Sequence, residues 1–128
     1  MATFVIFLDT SLLIDSLTGP KRLGPQLRRA LDRGERVLIP SITLYEWLRG
    51  PRSQEELDVQ ENLFPVDSAV PFGPEEAKLA AILYKAVRRG RDREADVAIA
   101  ATAIRHDAEL WTQNATDFKD IPGLRLLR

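Results

Sequence analysis

The chain has 128 residues, 45% of them hydrophobic and 29% charged, with 18 Lys and Arg against 19 Asp and Glu and a formal net charge of −1. That composition suits a globular protein burying roughly two thirds of its unfolded surface in one domain, and it excludes intrinsic disorder, a membrane span and a uniformly basic nucleic-acid-binding module. With no cysteine and a single histidine, His106, disulfides, thiol catalysis and cysteine-held metal sites are excluded, and little is left for a Ser-His-Asp triad. Chemistry must rest on carboxylates, hydroxyls, amides or cations.

Residues 4–8, Phe-Val-Ile-Phe-Leu, run straight into Asp9, Thr10 and Ser11. An unbroken apolar run of this length predicts a central strand of a parallel sheet, buried on both faces. Asp9 then stands at the strand's carboxyl end, where open α/β sheets bind ligands. Asp is equally a favoured helix cap, and both roles are open at this point. Only eight residues precede Asp9, and Met1, Ala2 and Thr3 carry no basic group, so no signal peptide is expected and the expected location is the cytoplasm.

Leu12, Leu13, Ile14 and Leu17 predict a short helix ended by Gly19 and Pro20. Leu23, Leu27, Ala30 and Leu31 predict an amphipathic helix that stops near Gly34. Residues 36–39 form a second strand closed by Pro40, after which Ser41 is expected to cap a helix reaching about Leu48 and ending at Gly50 and Pro51. Ser53 and Glu56 have the spacing of a capping box, predicting a helix over 54–62. Residues 63–66, Leu-Phe-Pro-Val, read as a short strand that Pro65 keeps near an edge.

Gly73, Pro74, Glu75 and Glu76 make a strong helix start. From there Leu79, Ile82, Leu83, Ala86 and Val87 are expected to form one apolar stripe, with Lys78, Lys85, Arg88 and Arg89 opposite. Residues 96–104 open with Asp96 and are otherwise apolar and rich in alanine, predicting a helix buried on most sides. Residues 109–112 make a strand, 113–117 a polar loop and 124–127 a last short strand. Alternating strands and helices predict one domain over 1–128, a three-layer α/β/α sandwich around a mainly parallel sheet of about four to five strands.

In that topology Asp9, Asp96 and the loop carrying Asn114 and Asp117 converge on one sheet edge. Glu46, amid Leu44, Tyr45, Trp47 and Leu48, is expected to point inward toward them. Gathered carboxylates raise one another's pKa values unless a positive charge compensates them, and a hard divalent cation is the economical compensator. Magnesium takes oxygen ligands, keeps several waters and meets phosphates through its open positions, so the chemistry indicated is metal-assisted phosphodiester hydrolysis. Thr10, Ser11 and Thr112 are placed to orient the waters. Arg49, Arg52 and the cluster of Lys85, Arg88, Arg89, Arg91 and Arg93 are candidates for neutralising the phosphates of such a substrate.

Four stretches in this order resemble a family: Leu8-Asp9-Thr10-Ser11-Leu12-Leu13-Ile14-Asp15, Leu44-Tyr45-Glu46, Asp96 to Ala103, and Thr112 to Phe118. Together they look like a PIN-domain ribonuclease, nearest to the VapC toxins of toxin–antitoxin pairs, over nearly the whole chain. The resemblance implies an Mg²⁺- or Mn²⁺-dependent endoribonuclease, an RNA substrate, a homodimer and inhibition by a cognate VapB-type antitoxin. It also implies that Asp9, Glu46 and Asp96 are acidic metal-site residues. Where many members carry an acid beside the threonine, this chain has Asn114, with Asp117 three residues later, so either is a candidate for the fourth position. Two other readings stand beside this one. One is a PIN-fold RNA-binding module without catalysis; the other is a phosphorylatable receiver-like domain, which lacks here an acid pair after the first strand.

Overall fold

The computed structural model describes residues 4–19, 23–88 and 92–127. Its centre is the strand Ile6–Leu8 (β1), every residue of which is buried. The helices Thr10–Leu17 (α1) and Gly24–Asp32 (α2) lead from it to the strand Val37–Leu38 (β2). Ser41–Arg49 (α3), Gln54–Leu63 (α4), Pro74–Ala86 (α5) and Glu94–Arg105 (α6) follow, then the strands Glu109–Trp111 (β3) and Arg125–Leu126 (β4). The sheet order is β2-β1-β3-β4 with every neighbouring pair parallel, Phe7 lying opposite Leu38 on one side and Leu110 on the other. Four strands and helices on both faces are the architecture the apolar runs predict.

Strand alternation divides the core in two. Ile6 and Leu8 join Leu12, Leu13, Leu27, Trp47 and Phe64 on one face, while Phe7 and Leu110 join Val97, Ile99 and the wholly buried Ala100, Ala101 and Ala103 on the other. Alanine at these α6 positions lets the helix approach both the sheet and α5 closely. No helix among the described residues is long and apolar enough to cross a membrane.

Three local expectations need correction. Residues 63–66 are not a strand: the helix begun by the Ser53–Glu56 capping box runs on through Leu63, Phe64 closes it by donating its N–H to Gln60 O, and Val66–Ser68 is a 3-10 turn. Extended pairing resumes only at Val70, in a single parallel bridge with Pro40. Ser41 is not the cap of α3 but its first residue, because Pro40 holds the cap position, and the Ser41 hydroxyl accepts from Phe72 N–H instead. The stripe on α5 is narrower than predicted. Leu79, Ala80, Leu83 and Val87 pack on the core while Ile82 remains 64% exposed, since α6 covers only one side of the helix. Pro20, Arg89 and Arg91 lie outside the described residues.

The buried polar link between α3 and α4 holds the apolar core against Leu8 in place. Trp47 Nε1 donates to Gln60 Oε1 at 3.2 Å and Gln60 Nε2 donates to Phe64 O at 3.1 Å, with Trp47 and Gln60 both almost fully enclosed. Gln60→Met keeps the volume but leaves a buried indole N–H and a buried carbonyl unpaired. It should lower unfolding free energy by about 2 kcal/mol, read by urea denaturation, since an unsatisfied buried polar group costs on the order of 1–3 kcal/mol.

Candidate active site

The chain leaves β1 toward β2 and returns on the opposite side at β3, so a crevice opens at the carboxyl ends of β1 and β3. Asp9, the first residue after β1, sits in it almost fully buried. Its Oδ1 accepts from Leu12 N–H at 2.9 Å, which makes it the cap of α1. Ser11 Oγ donates to both carboxylate oxygens at 3.2 Å, and Thr112 Oγ1, just beyond β3, donates to Oδ2. Thr112 Oγ1 in turn accepts from Asn114 N–H at 2.9 Å, and Asn114 Nδ2 donates to Ser11 Oγ at 3.2 Å. One closed loop of hydrogen bonds thus straps the end of β1 to the end of β3. Burial pushes the Asp9 carboxyl up; the bonds from Thr112, Leu12 N–H and Ser11 pull it back, and the Glu46 charge raises it further.

Glu46 reaches the same crevice from α3. Thr10 donates to its Oε1, and Arg49 lies 3.4 Å from its Oε2. Asp96 occupies the first turn of α6, whose backbone N–H groups favour a negative charge. Burial nevertheless pushes its carboxyl up to about 6, with Asp117, Asp9 and Glu46 adding to the rise in that order and Arg93 opposing it. Asp9, Glu46 and Asp117 therefore all lie within electrostatic reach of Asp96.

Asp117 ends the 3-10 turn Ala115–Asp117 and is exposed. Its position is set by a clamp with no local sequence signal, because the partners are 27 residues apart. Arg93, the residue before α6, grips both Asp120 oxygens at 2.9 and 2.7 Å and also donates to Asp117 O. The loop after β3 is tied in this way to the start of α6.

The predicted cations divide by what already holds them. Arg52 lies 4.2 Å over the Trp47 ring and donates to Trp47 O, and Arg93 is spent on the clamp. Arg49, Lys85 and Arg88 are exposed, while Arg89 and Arg91 fall outside the described residues.

The donor set is all oxygen; Arg93 is committed mainly to Asp120 and Arg49 pairs with Glu46 alone, so Asp9 and Asp96 have no cation bonded to them among the described residues, which suits a hard divalent cation. Among the described residues no three acids or histidines stand close enough to grip an ion together. Magnesium asks for only one or two direct carboxylates and completes its shell with water, so the residues present fit it.

The PIN domain family model matches residues 6–124. Ribonuclease VapC19 of Mycobacterium tuberculosis is 31% identical over 121 residues, covering 92% of this chain and 95% of that protein. Among solved structures, DNA-bound VapBC of Salmonella typhimurium is similar with a TM-score of 0.75 at 22% identity, over 98% of each chain. VapBC-5 of Mycobacterium tuberculosis, a member of the VapBC family of toxin–antitoxin systems, is similar with a TM-score of 0.65 at 22% identity, over 98% of this chain and 99% of that one.

The raised Asp96 carboxyl fixes the sign of a pH dependence. Its folded value lies above the ordinary 3.8, at about 6, so the fold binds this proton more tightly than the unfolded chain does. The resulting penalty is absent below about pH 4, grows between the two values and is complete above about pH 6. Asp96→Asn should therefore stabilise the metal-free protein near pH 7.5 by about 1 kcal/mol, discounted for solvent screening, and by nothing near pH 4. Urea denaturation in a chelator at both pH values reads this; a variant no more stable than the parent near pH 7.5 contradicts it.

Proposed function

The chain belongs to the PIN-domain family, and from that premise we propose that it is a single-domain, divalent-metal-dependent endoribonuclease, the toxin of a VapBC-type toxin–antitoxin pair acting in the cytoplasm. The observation that carries the reading is the meeting of Asp9, Glu46, Asp96 and Asp117 in one crevice, close enough for the other three charges to raise the Asp96 carboxyl. The identity to a ribonuclease over 92% of the chain supports the activity. The likeness to VapBC structures supports a fold shared with toxin–antitoxin proteins.

In this reading Asp9 and Asp96 would hold the ion directly, and Glu46 and Asp117 would orient water at the crevice and accept its proton. A divalent cation there supplies positive charge against the phosphate and makes water more acidic. Thr10 aims Glu46, and Ser11 and Thr112 aim Asp9, so neither acid has to reorganise when substrate arrives. Asp117 is the fourth acid. Asn114, whose Nδ2 and backbone N–H are bonded to Ser11 and Thr112, closes the strap and has only its Oδ1 left to offer the ion. Of the predicted cations, Lys85 and Arg88 are exposed to meet RNA phosphates, and Arg49, also exposed, would have to give up its pairing with Glu46 to do so. A second copy of the chain and a VapB-type antitoxin are the protein partners, for which Tyr45, Leu48 and Ile82 leave apolar surface uncovered.

Purified protein incubated with cellular RNA should cleave it with Mg²⁺ or Mn²⁺ and stop on chelation. Asp9→Asn should slow cleavage by at least about a hundredfold. The metal-free melting temperature of that variant should be equal or higher, because Asn still caps α1 while the charge is gone. Absence of cleavage with either ion, or an active Asp9→Asn protein, overturns the reading.

A further inference from the structure

Beside the acids lies a cavity of about 670 Å³ bordered by Gln26 of α2 and by Trp111, Thr112, Gln113 and Asn114 at the end of β3. Its wall residue Thr112 is the one that donates to Asp9, so an occupant of this cavity is a single side chain away from the acid cluster. Gln26 and Gln113 are exposed, and neither spends its side-chain amide on a partner among the described residues. An adjoining cavity of about 330 Å³ shares Gln26 and Trp111 and adds Arg29 of α2, Arg33 just past its end and the acid Glu35. Arg33 is paired with Glu35, whereas Arg29 has no partner among the described residues. The groove therefore runs from carboxylates, past free amides and a partly buried indole, to guanidinium groups.

That order matches the order of parts in a single RNA strand. A scissile phosphate belongs at the acids, an unstacked base can rest on an aromatic ring and bond through its edge to amides, and a neighbouring phosphate needs a cation. Gln and Asn amides carry both a donor and an acceptor, the combination that reads one base edge against another. A cavity meant only for the sugar-phosphate backbone needs positive charge throughout, and the cavity next to the acids contains none.

Resting on the ribonuclease reading, we infer that the Gln26–Trp111–Gln113 cavity is a base-recognition subsite that receives the nucleotide flanking the cut, with Arg29 holding the next phosphate. Gln26 and Gln113 thereby select the base.

The test is to digest a randomised single-stranded RNA pool with Mn²⁺ present and sequence the cleavage junctions. Wild type should prefer one base at a single position beside the cut. Gln113→Ala and Gln26→Ala should each reduce that preference, by roughly tenfold as expected for loss of an amide–base pairing, and leave preferences at other positions in place. Gln54→Ala, on the distant α4, serves as the control that alters none. Arg29→Ala should lower cleavage of every junction together. Glutamine variants that keep the full wild-type preference overturn the inference, as do variants that lose only inhibition by a protein partner. If wild type cuts nothing, the ribonuclease reading falls separately. The subsite is then judged by retention of the RNA pool on Asp9→Asn protein, where unchanged affinity on adding Gln26→Ala and Gln113→Ala overturns it.

Discussion

The interaction on which the rest of the site depends is the strap across the ends of β1 and β3. Asp9 is at once the cap of α1 and the acceptor of hydroxyl bonds from Ser11 and Thr112, and Asn114 closes the loop between those two hydroxyls. Capping alone would fix only the entry to α1. The bond from Thr112 also fixes the distance between two strand ends, and with it the mouth of the crevice into which Glu46, Asp96 and Asp117 are delivered. Because β1 is hydrogen-bonded on both sides and buried on both faces, the strap is anchored to the least deformable part of the protein.

Gathering four acids at one place works against the fold. The cost shows in Asp96, whose carboxyl rises to about 6, and in Asp9, which burial and Glu46 push upward against its hydrogen bonds. The stability that offsets this comes from the two apolar clusters on either side of the sheet and from the enclosed Trp47–Gln60 link. Local strain of this kind is what a site looks like when its missing partner is positively charged. Of the cations nearby, Arg49 pairs with Glu46 alone, and Arg93 is turned to Asp120, where it positions Asp117 and only partly offsets the charge at Asp96.

Much of this architecture is legible in the sequence because it follows from local pattern. The apolar run over 4–8 specifies a doubly buried strand, the alanines of 96–104 specify a helix with close neighbours, and strand-end polar residues converge once the sheet is parallel. What is not legible depends on competition or on distance. At 63–66 the β-favouring Phe and Val lose to a well-capped helix that continues through Leu63. Ile82 follows the helical period but faces solvent, since periodicity states which residues share a face and not how wide the neighbouring helix is. The Arg93–Asp120 clamp joins residues from separate elements. Gln26 and Gln113 line one cavity only because the fold brings the start of α2 near the end of β3. That the Asn114 amide closes the strap through Ser11, 103 residues away in sequence, likewise appears only in the fold.

The central claim, that the carboxylates are gathered for a divalent cation, is tested most directly by Mn²⁺ binding to the protein without RNA, followed by the loss of the free-ion electron paramagnetic resonance signal. Saturable binding by wild type, weakened at least about tenfold in both Asp9→Asn and Asp96→Asn, is the result predicted for ligands and their close supports. A free-ion signal undiminished by millimolar protein, or equal binding by wild type and both variants, would contradict it.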